Sequence, residues 1–352
     1  MPMQRSFDIG KRRVGEGAPV YVIAEAGSNH DGRLDRAHSL IDVAVEAGAD
    51  AVKFQTFSAN RIAAQAAIGA TRLTDKFGRF GGTLVDFYKK LELPAEWHRE
   101  LQAYAADKGI TFLSTPFDEA AADLLEKLNI PAYKIASFEL VHLPLLRHVA
   151  SKGKPVVLST GMATLGEIED ALAVLSECGN DQVALLHCGI EYPVVMQDVH
   201  LAAMDTLRQA FPCPVGYSDH TLGLTVPIAA VARGASIIEK HFTLDRSLHG
   251  PDHEFALTPD ELKAMILAIR DTEAAIGSSI KRPLPSESVH HQRGRRSLFA
   301  VRDIAQGEVI SRDMVAVLRP GTGLAPKCLD IIVGRVARRA IAAHHPIMWE
   351  DV

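Results

Sequence analysis

The sequence predicts an α/β fold, a (β/α)8 TIM barrel, followed by a small, mostly β domain. Three observations carry this reading. Short runs rich in Val and Ile recur eight times between residues 20 and 238. The segments between them show helical periodicity, and several close on a glycine. The pattern stops after Gly277, where proline and basic residues take over.

The eight runs are residues 20–24, 51–54, 111–113, 132–136, 156–158, 183–186, 215–217 and 236–238. Between the first two, Ala37, Leu40, Ile41, Ala44 and Val45 fall on one face of a helix. Gly48, Gly109, Gly153, Gly179 and Gly234 each stand just before a strand, where a left-handed residue ends a helix. Strand–helix alternation repeated eight times is the signature of the barrel. Thr258, Pro259 and Glu261 form a capping box with proline at the first helical position. Gly250, Pro251 and Asp252 therefore lie in the last strand-to-helix loop. The connection 58–92 is too long for a simple loop, and its glycine-rich TDKFGRFGGT is expected to be a lid or an interface segment. The expected domains are a barrel over 1–277, a linker over 278–294 and a small domain over 295–352.

Composition narrows the function. The chain has 352 residues, 47% hydrophobic and 23% charged, with a net charge of -5. That balance argues against a nucleic-acid binder acting through bulk charge, so any bound anion needs locally placed cations. No apolar run approaches the ~20 residues that span a bilayer, and the N-terminus lacks an apolar signal core. Cys178, Cys188, Cys213 and Cys328 show no metal-site spacing and read as free thiols of a reducing cytoplasm.

Every predicted strand ends on polar residues. These are Glu25; Lys53 and Gln55; Ser114 and Thr115; Lys134, Ser137 and Glu139; Ser159 and Thr160; His187; Ser218, Asp219 and His220; and Glu239, Lys240 and His241. In a barrel, one such end is the active face, so these residues converge. His220 and His241 end adjacent strands and suit a divalent metal, Mn or Mg rather than four-ligand zinc. The bland alternative is a pair of hydrogen-bonding histidines. His187 and His30 are weaker candidates. Lys53 and Lys134, with Ser159 and Thr115, suit a phosphate or carboxylate. They also suit ion pairs with Glu25 and Glu139, and one lysine can do both.

The stretches IAEAGSNHDG, AVKFQTF, FLSTPFD, YKIAS, LSTGMAT, GYSDHT, IEKHFTLD, GPDH, RRSLFA and LRPGTG, in this order, resemble the sialic acid synthases, which include the legionaminic and pseudaminic acid synthases. The resemblance implies a C-terminal SAF (antifreeze-like) domain. It implies condensation of phosphoenolpyruvate with an N-acylmannosamine-type aldehyde, giving a nine-carbon 2-keto acid and phosphate. His220 and His241 match metal ligands. Lys53, Lys134, Ser137 and Ser159 match phosphoenolpyruvate contacts, and Gln55, Thr115, Tyr192 and Ser218 complete the expected substrate-binding set. Glu25 and Asp252 match acids at the reacting carbons, with Glu139 beside them. Arg319 matches an arginine placed in the partner's barrel, which implies a homodimer with swapped small domains. One departure is HCGIEYP, where Gly189 and Ile190 replace small polar residues; its Glu191-Tyr192-Pro193 end leans towards legionaminic acid synthases. Two alternatives stand beside this reading. A synthase of seven- or eight-carbon keto acids would lack residues 295–352, and a non-catalytic sugar-binding protein would have a degraded barrel.

Overall fold

A computed structural model describes residues 3–64, 78, 80 and 82–352. The chain forms two compact units, Met1–Gly277 and Ser278–Val352. The first opens with an antiparallel hairpin, β1 (Ser6–Ile9) and β2 (Arg12–Gly15). Eight parallel strands follow: β3 (Tyr21–Gly27), β4 (Ala51–Thr56), β5 (Thr111–Pro116), β6 (Tyr133–Ile135), β7 (Val156–Ser159), β8 (Val183–His187), β9 (Val215–Asp219) and β10 (Ile237–His241). The ladders run β5-β4-β3-β10-β9-β8-β7-β6, and β6 returns beside β5 to close the ring.

Helices α1 (Leu34–Ala47), α2 (Ala59–Ile62), α3 (Leu84–Leu91), α4 (Trp97–Asp107) and α5 (Glu119–Lys127) accompany the first strands. After them come α6 (Leu143–Ala150), α7 (Leu165–Glu177), α8 (Ala203–Ala210), α9 (Thr225–Ala232) and α10 (Pro259–Ile276). Helix α1 buries Ala37, Leu40, Ile41 and Ala44, the face its periodicity marks out. The glycines expected to close helices all have positive φ, from 67° at Gly153 to 86° at Gly234.

Seven of the eight barrel strands run one to three residues past their expected ends. Strand β10 runs through Glu239, Lys240 and His241 instead of stopping at Ile238. Strand β6 is shorter than expected, and Ser137–Glu139 is a single 3-10 turn. Because β10 continues, its side chains keep alternating. Glu239 and His241 face the barrel interior, while Lys240 faces the helices.

The interior is stratified along the strands. Its lower end packs Tyr21, Ile23, Ala51, Leu113, Val157, Ala184, Leu186 and Ile237 against Phe7, Ile9 and Val14 of the hairpin. The hairpin therefore plugs the bottom of the barrel. Gly15 makes this possible: at φ 108° a Cβ there would lie 2.3 Å from the Arg5 carbonyl oxygen. One pleat up the same strands, the inward residues are largely polar or charged, among them Glu25, Lys53, Thr115, Lys134, Ser159 and Glu239.

The second unit pairs β11 (Ser297–Ala300) with β12 (Val315–Leu318) over a core including Leu298, Ile304, Ile310, Ile332 and Ile347. It also holds α11 (Ser288–Gly294) and α12 (Leu329–Ile332). The expected linker thus carries a helix and groups with the small unit. Of TDKFGRFGGT, only Gly78, Phe80, Gly82 and Thr83 fall within the described residues. Among the described residues no helix is long and apolar enough to cross a membrane.

Candidate active site

A cleft of about 410 Å³, open at one side, sits inside the strand C-terminal ends. Glu25, Lys53, Gln55, Thr115, Lys134, Ser137, Ser159, Tyr192, Ser218, His220 and His241 all line it. The parallel register explains the convergence. Glu25 pairs with Lys53 and with His241, and Glu239 pairs with Ser218, each couple on the same face.

Lys53 is the hub. Its Nζ lies 2.8 Å from Glu25 Oε2 and 3.7 Å from Glu239 Oε2, and it donates to Thr115 Oγ1 at 2.9 Å. Lys134 Nζ lies 3.4 Å from Glu239 Oε1 and donates to the Ile135 carbonyl at 3.2 Å. Ser218 Oγ donates to Glu239 Oε1 at 2.9 Å, and Gln55 Nε2 donates to Glu25 Oε1 at 3.0 Å. All four ionisable groups are at least 95% buried, and two cations facing two carboxylates offset what burial would otherwise cost.

The groups are tuned apart. Burial lifts Glu25 to about 7, against the pull of Lys53. Glu239 goes the other way: burial works against its charge, but Lys134 and Lys53 together hold it below the usual carboxylate range. Burial works to lower Lys53, and Glu239 and Glu25 outweigh it to keep the ammonium charged. Lys134 is lowered by burial. Glu139 and Asp252 do not line the cleft floor. Burial raises Glu139 to about 7, and its Oε2 has no partner. Burial raises Asp252 to about 6, and its Oδ2 lies 3.6 Å from His241 Nδ1. Gly27, at φ 52°, lets these acids approach: a Cβ there would sit 3.3 Å from Asp252 Oδ2 and 3.4 Å from Glu25 Oε1.

The two histidines lie side by side, ring centroids 5.3 Å apart. His220 Nδ1 is 2.7 Å from the Gly189 carbonyl, which only accepts. Nδ1 therefore carries the proton, and Nε2 keeps its lone pair. Burial lowers His220 to about 4, and it pushes His241 well below its ordinary value. His241 Nδ1 is buried without a hydrogen-bond partner. Two neutral imidazoles with lone pairs available are a fitting donor set for a divalent cation. The described residues contain no ready cluster of three or more His, Cys, Asp or Glu, so the remaining ligands would come from substrate and water.

Other candidates sit elsewhere. His187 Nε2 bonds to the Val199 carbonyl at 3.0 Å, and His30 packs between Phe54 and Trp97. Neither lines the cleft. Arg319 belongs to the second unit, where its Nε donates to the Gly294 carbonyl at 2.8 Å. At the departure, a Cβ on Gly189 would meet Val194 Cγ2 at 2.8 Å, and Ile190 Cγ2 packs against Gly161. Apolar packing fills this corner, and Gly189 serves through its carbonyl.

Sequence reasoning placed Glu239 among the converging strand ends without giving it a role, and it left Cys188 out of the site. Cys188 Sγ lies 3.0 Å from Ser137 Oγ, and its lone place after β8 gave no signal. A role for Glu239 could have been found, since alternation puts it on the same face as His241.

The family models decide the kinship. Residues 40–281 match the NeuB family and 295–352 match the SAF domain. The chain belongs to the NeuB family. It is 43% identical to N,N'-diacetyllegionaminic acid synthase of Legionella pneumophila over 96% of both chains. It is 41% identical to the spore coat polysaccharide biosynthesis protein SpsE of Bacillus subtilis over 99% of this chain and 97% of that one. The crystal structure of a sialic acid synthetase from Leptospira borgpetersenii, in complex with citrate, aligns with a TM-score of 0.73 and 33% identity, covering 82% of this chain and 96% of that one. This NeuB-family protein is thus an enzyme, a relative of named synthases.

Proposed function

We propose that the enzyme condenses phosphoenolpyruvate with an open-chain N-acylmannosamine-type aldehyde, giving a nine-carbon 2-keto acid of the legionaminate kind and inorganic phosphate. One observation carries this reading: buried lysines, the Glu25 carboxyl raised towards neutrality and two neutral histidines meet in one cleft. The legionaminate preference rests on the Legionella relative and on the Glu191-Tyr192-Pro193 segment.

Lys53 and Lys134 bind the phosphate and carboxylate, with Ser137, Ser218 and Thr115 nearby. Ser159 Oγ, buried and unpartnered, is free to donate to the same anion. His220 and His241 would hold a divalent Mn or Mg, which would supply polarisation of the aldehyde oxygen. Gln55, Tyr192 and Asp252 hold the sugar with its carbonyl carbon facing the enol. The enol C3 attacks that carbon; one C–C bond forms as the aldehyde C=O π bond breaks, and its oxygen takes up the proton that Glu25 removes from the water. Positive charge develops at C2, which Glu25 and Glu239 stabilise. Water adds to C2, Glu25 takes one of its protons, and the C–O bond to phosphate breaks as the new hydroxyl loses the other, leaving the 2-keto group. Glu139, poised near neutrality, can return a proton to the departing phosphate.

The test is phosphate release from phosphoenolpyruvate across a panel of N-acylhexosamines and smaller aldoses. Release with an N-acylmannosamine-type sugar, and not with four- or five-carbon aldoses, is the expected result. Release with the short aldoses alone would favour a seven- or eight-carbon synthase, and no release with any sugar would favour a binding protein.

The proposed assembly is a homodimer in which the small unit of one chain brings Arg319 to the partner's cleft, in the cytoplasm. An Arg319→Ala subunit mixed with a Glu25→Ala subunit is expected to regain part of the activity that each parent lacks. A purified hybrid no more active than its parents would overturn the swap.

A further inference from the structure

The face of β9 and β10 turned away from the cleft holds a second ion pair. Lys240 Nζ donates to Asp219 Oδ2 at 2.5 Å and also to the Thr221 carbonyl. Asp219 and Thr221 are the two neighbours of His220 in sequence, and Lys240 is the neighbour of His241. The ammonium therefore grips a side-chain carboxylate on one side of His220 and a backbone carbonyl on the other, from the residue beside His241. Asp219 closes the loop: its Oδ1 accepts from Thr221 N at 3.0 Å and its Oδ2 from Thr221 Oγ1 at 3.2 Å. Lys240 and Asp219 are paired in the ladder, and both side chains are at most 1% exposed.

A buried ion pair of this kind is weak evidence for stability, since well-packed apolar residues often serve as well. Its placement fits another role. His220 stands just past the end of β9 and His241 on the last residue of β10, where ladder bonds no longer fix the spacing. Gly189 orients the His220 ring, and the Tyr192 and Phe255 rings pack against both histidines, but it is Lys240 and Asp219 that tie together the two strand ends carrying them. We infer that Lys240 and Asp219 are positioning residues that hold His220 and His241 at the separation a divalent cation needs. The inference rests on the reading that these histidines bind a cation.

The test measures Mn2+ affinity directly, by titrating the metal-free full-length protein and following free Mn2+ by electron paramagnetic resonance. Wild type and His241→Ala come first. If the wild type binds no Mn2+, or His241→Ala binds as well as wild type, the cation reading itself fails. With that reading secure, Lys240→Met and Asp219→Asn are each expected to weaken Mn2+ binding about 10- to 100-fold, as loss of outer support for a metal ligand typically does. The double variant is expected to lose no more than the worse single one, because both break one clasp. Asp219→Asn keeps shape and acceptor oxygen, so it is the variant expected to stay folded. Folded variants with wild-type Mn2+ affinity would overturn the inference. So would unfolding of both single variants, which would make the pair a folding element.

Discussion

The two ends of one barrel use the same eight strands differently. At the lower end the inward side chains are apolar, and the β1–β2 hairpin seals them with Phe7, Ile9 and Val14. One or two pleats higher the inward positions carry Glu25, Lys53, Lys134, Glu239 and His241, all buried and all ionisable. The lower end gains from burial. The upper end spends part of that gain on groups whose value appears only with a ligand. Alternation lets both demands sit on one strand: Ile237, Glu239 and His241 share a face, yet only the first belongs to the core. Stability and chemistry are therefore separable by height along the barrel, and mutations can test that separation.

The largest effect is expected at the histidines. Chelation, or His241→Ala, should reduce turnover about 10²-fold or more while the melting temperature stays near that of wild type. Mn or Mg should restore the chelated enzyme. Full activity in a metal-free preparation would break the assignment of the upper end to metal chemistry.

Glu25→Gln comes next. It keeps shape and the Gln55 contact region but cannot exchange a proton, so turnover should fall about 10²- to 10⁴-fold. Steady-state phosphate release measures it, and a loss below tenfold would remove Glu25 as the base. Lys53→Met should raise the KM for phosphoenolpyruvate about tenfold or more, the cost of losing a charged hydrogen bond. An unaltered KM would make Lys53 an internal counter-ion only. The lower end should answer in the opposite way. Phe7→Ala removes a buried ring from the plug and should cost about 3–5 kcal/mol of stability, while kcat stays near wild type. A Phe7→Ala enzyme that loses kcat at unchanged stability would contradict the division by height.

Much of this division was legible in the sequence. Apolar runs marked eight strands because a parallel barrel strand is buried on both faces. Polar residues at their ends marked the active face. The hairpin was not seen, because its strands are four residues each and Arg12 and Arg13 interrupt the apolar signal. Glu239 was placed at the converging end but given no role of its own, because Glu239, Lys240 and His241 read as one polar ending. Only the continued strand separates them, sending Lys240 to Asp219 and leaving Glu239 between the two lysines. The role proposed for Arg319 depends on a second chain, and no pattern of periodicity or spacing within one chain specifies that.

The smallest effect concerns pH, and it isolates the cost of the upper end. Glu25 titrates at about 7 in the folded barrel against an ordinary 4.5, chiefly through burial. Between those values the folded state binds more protons than the unfolded state, so stability falls as pH rises from about 4.5 to about 7. Above 7 both states are ionised and the loss is complete. Glu25→Gln removes this dependence. Relative to wild type, its melting temperature should therefore be higher at pH 7.5 than at pH 5, by a few degrees at most. Chelated protein is the right sample, since a bound cation would pull on the same carboxylate. Phe7→Ala, by contrast, should lower the melting temperature equally at both pH values, because no charge changes at the plug. Parallel melting curves for wild type and Glu25→Gln across this range would mean that Lys53 keeps Glu25 ionised throughout, and that the raised carboxyl is not what the upper end costs.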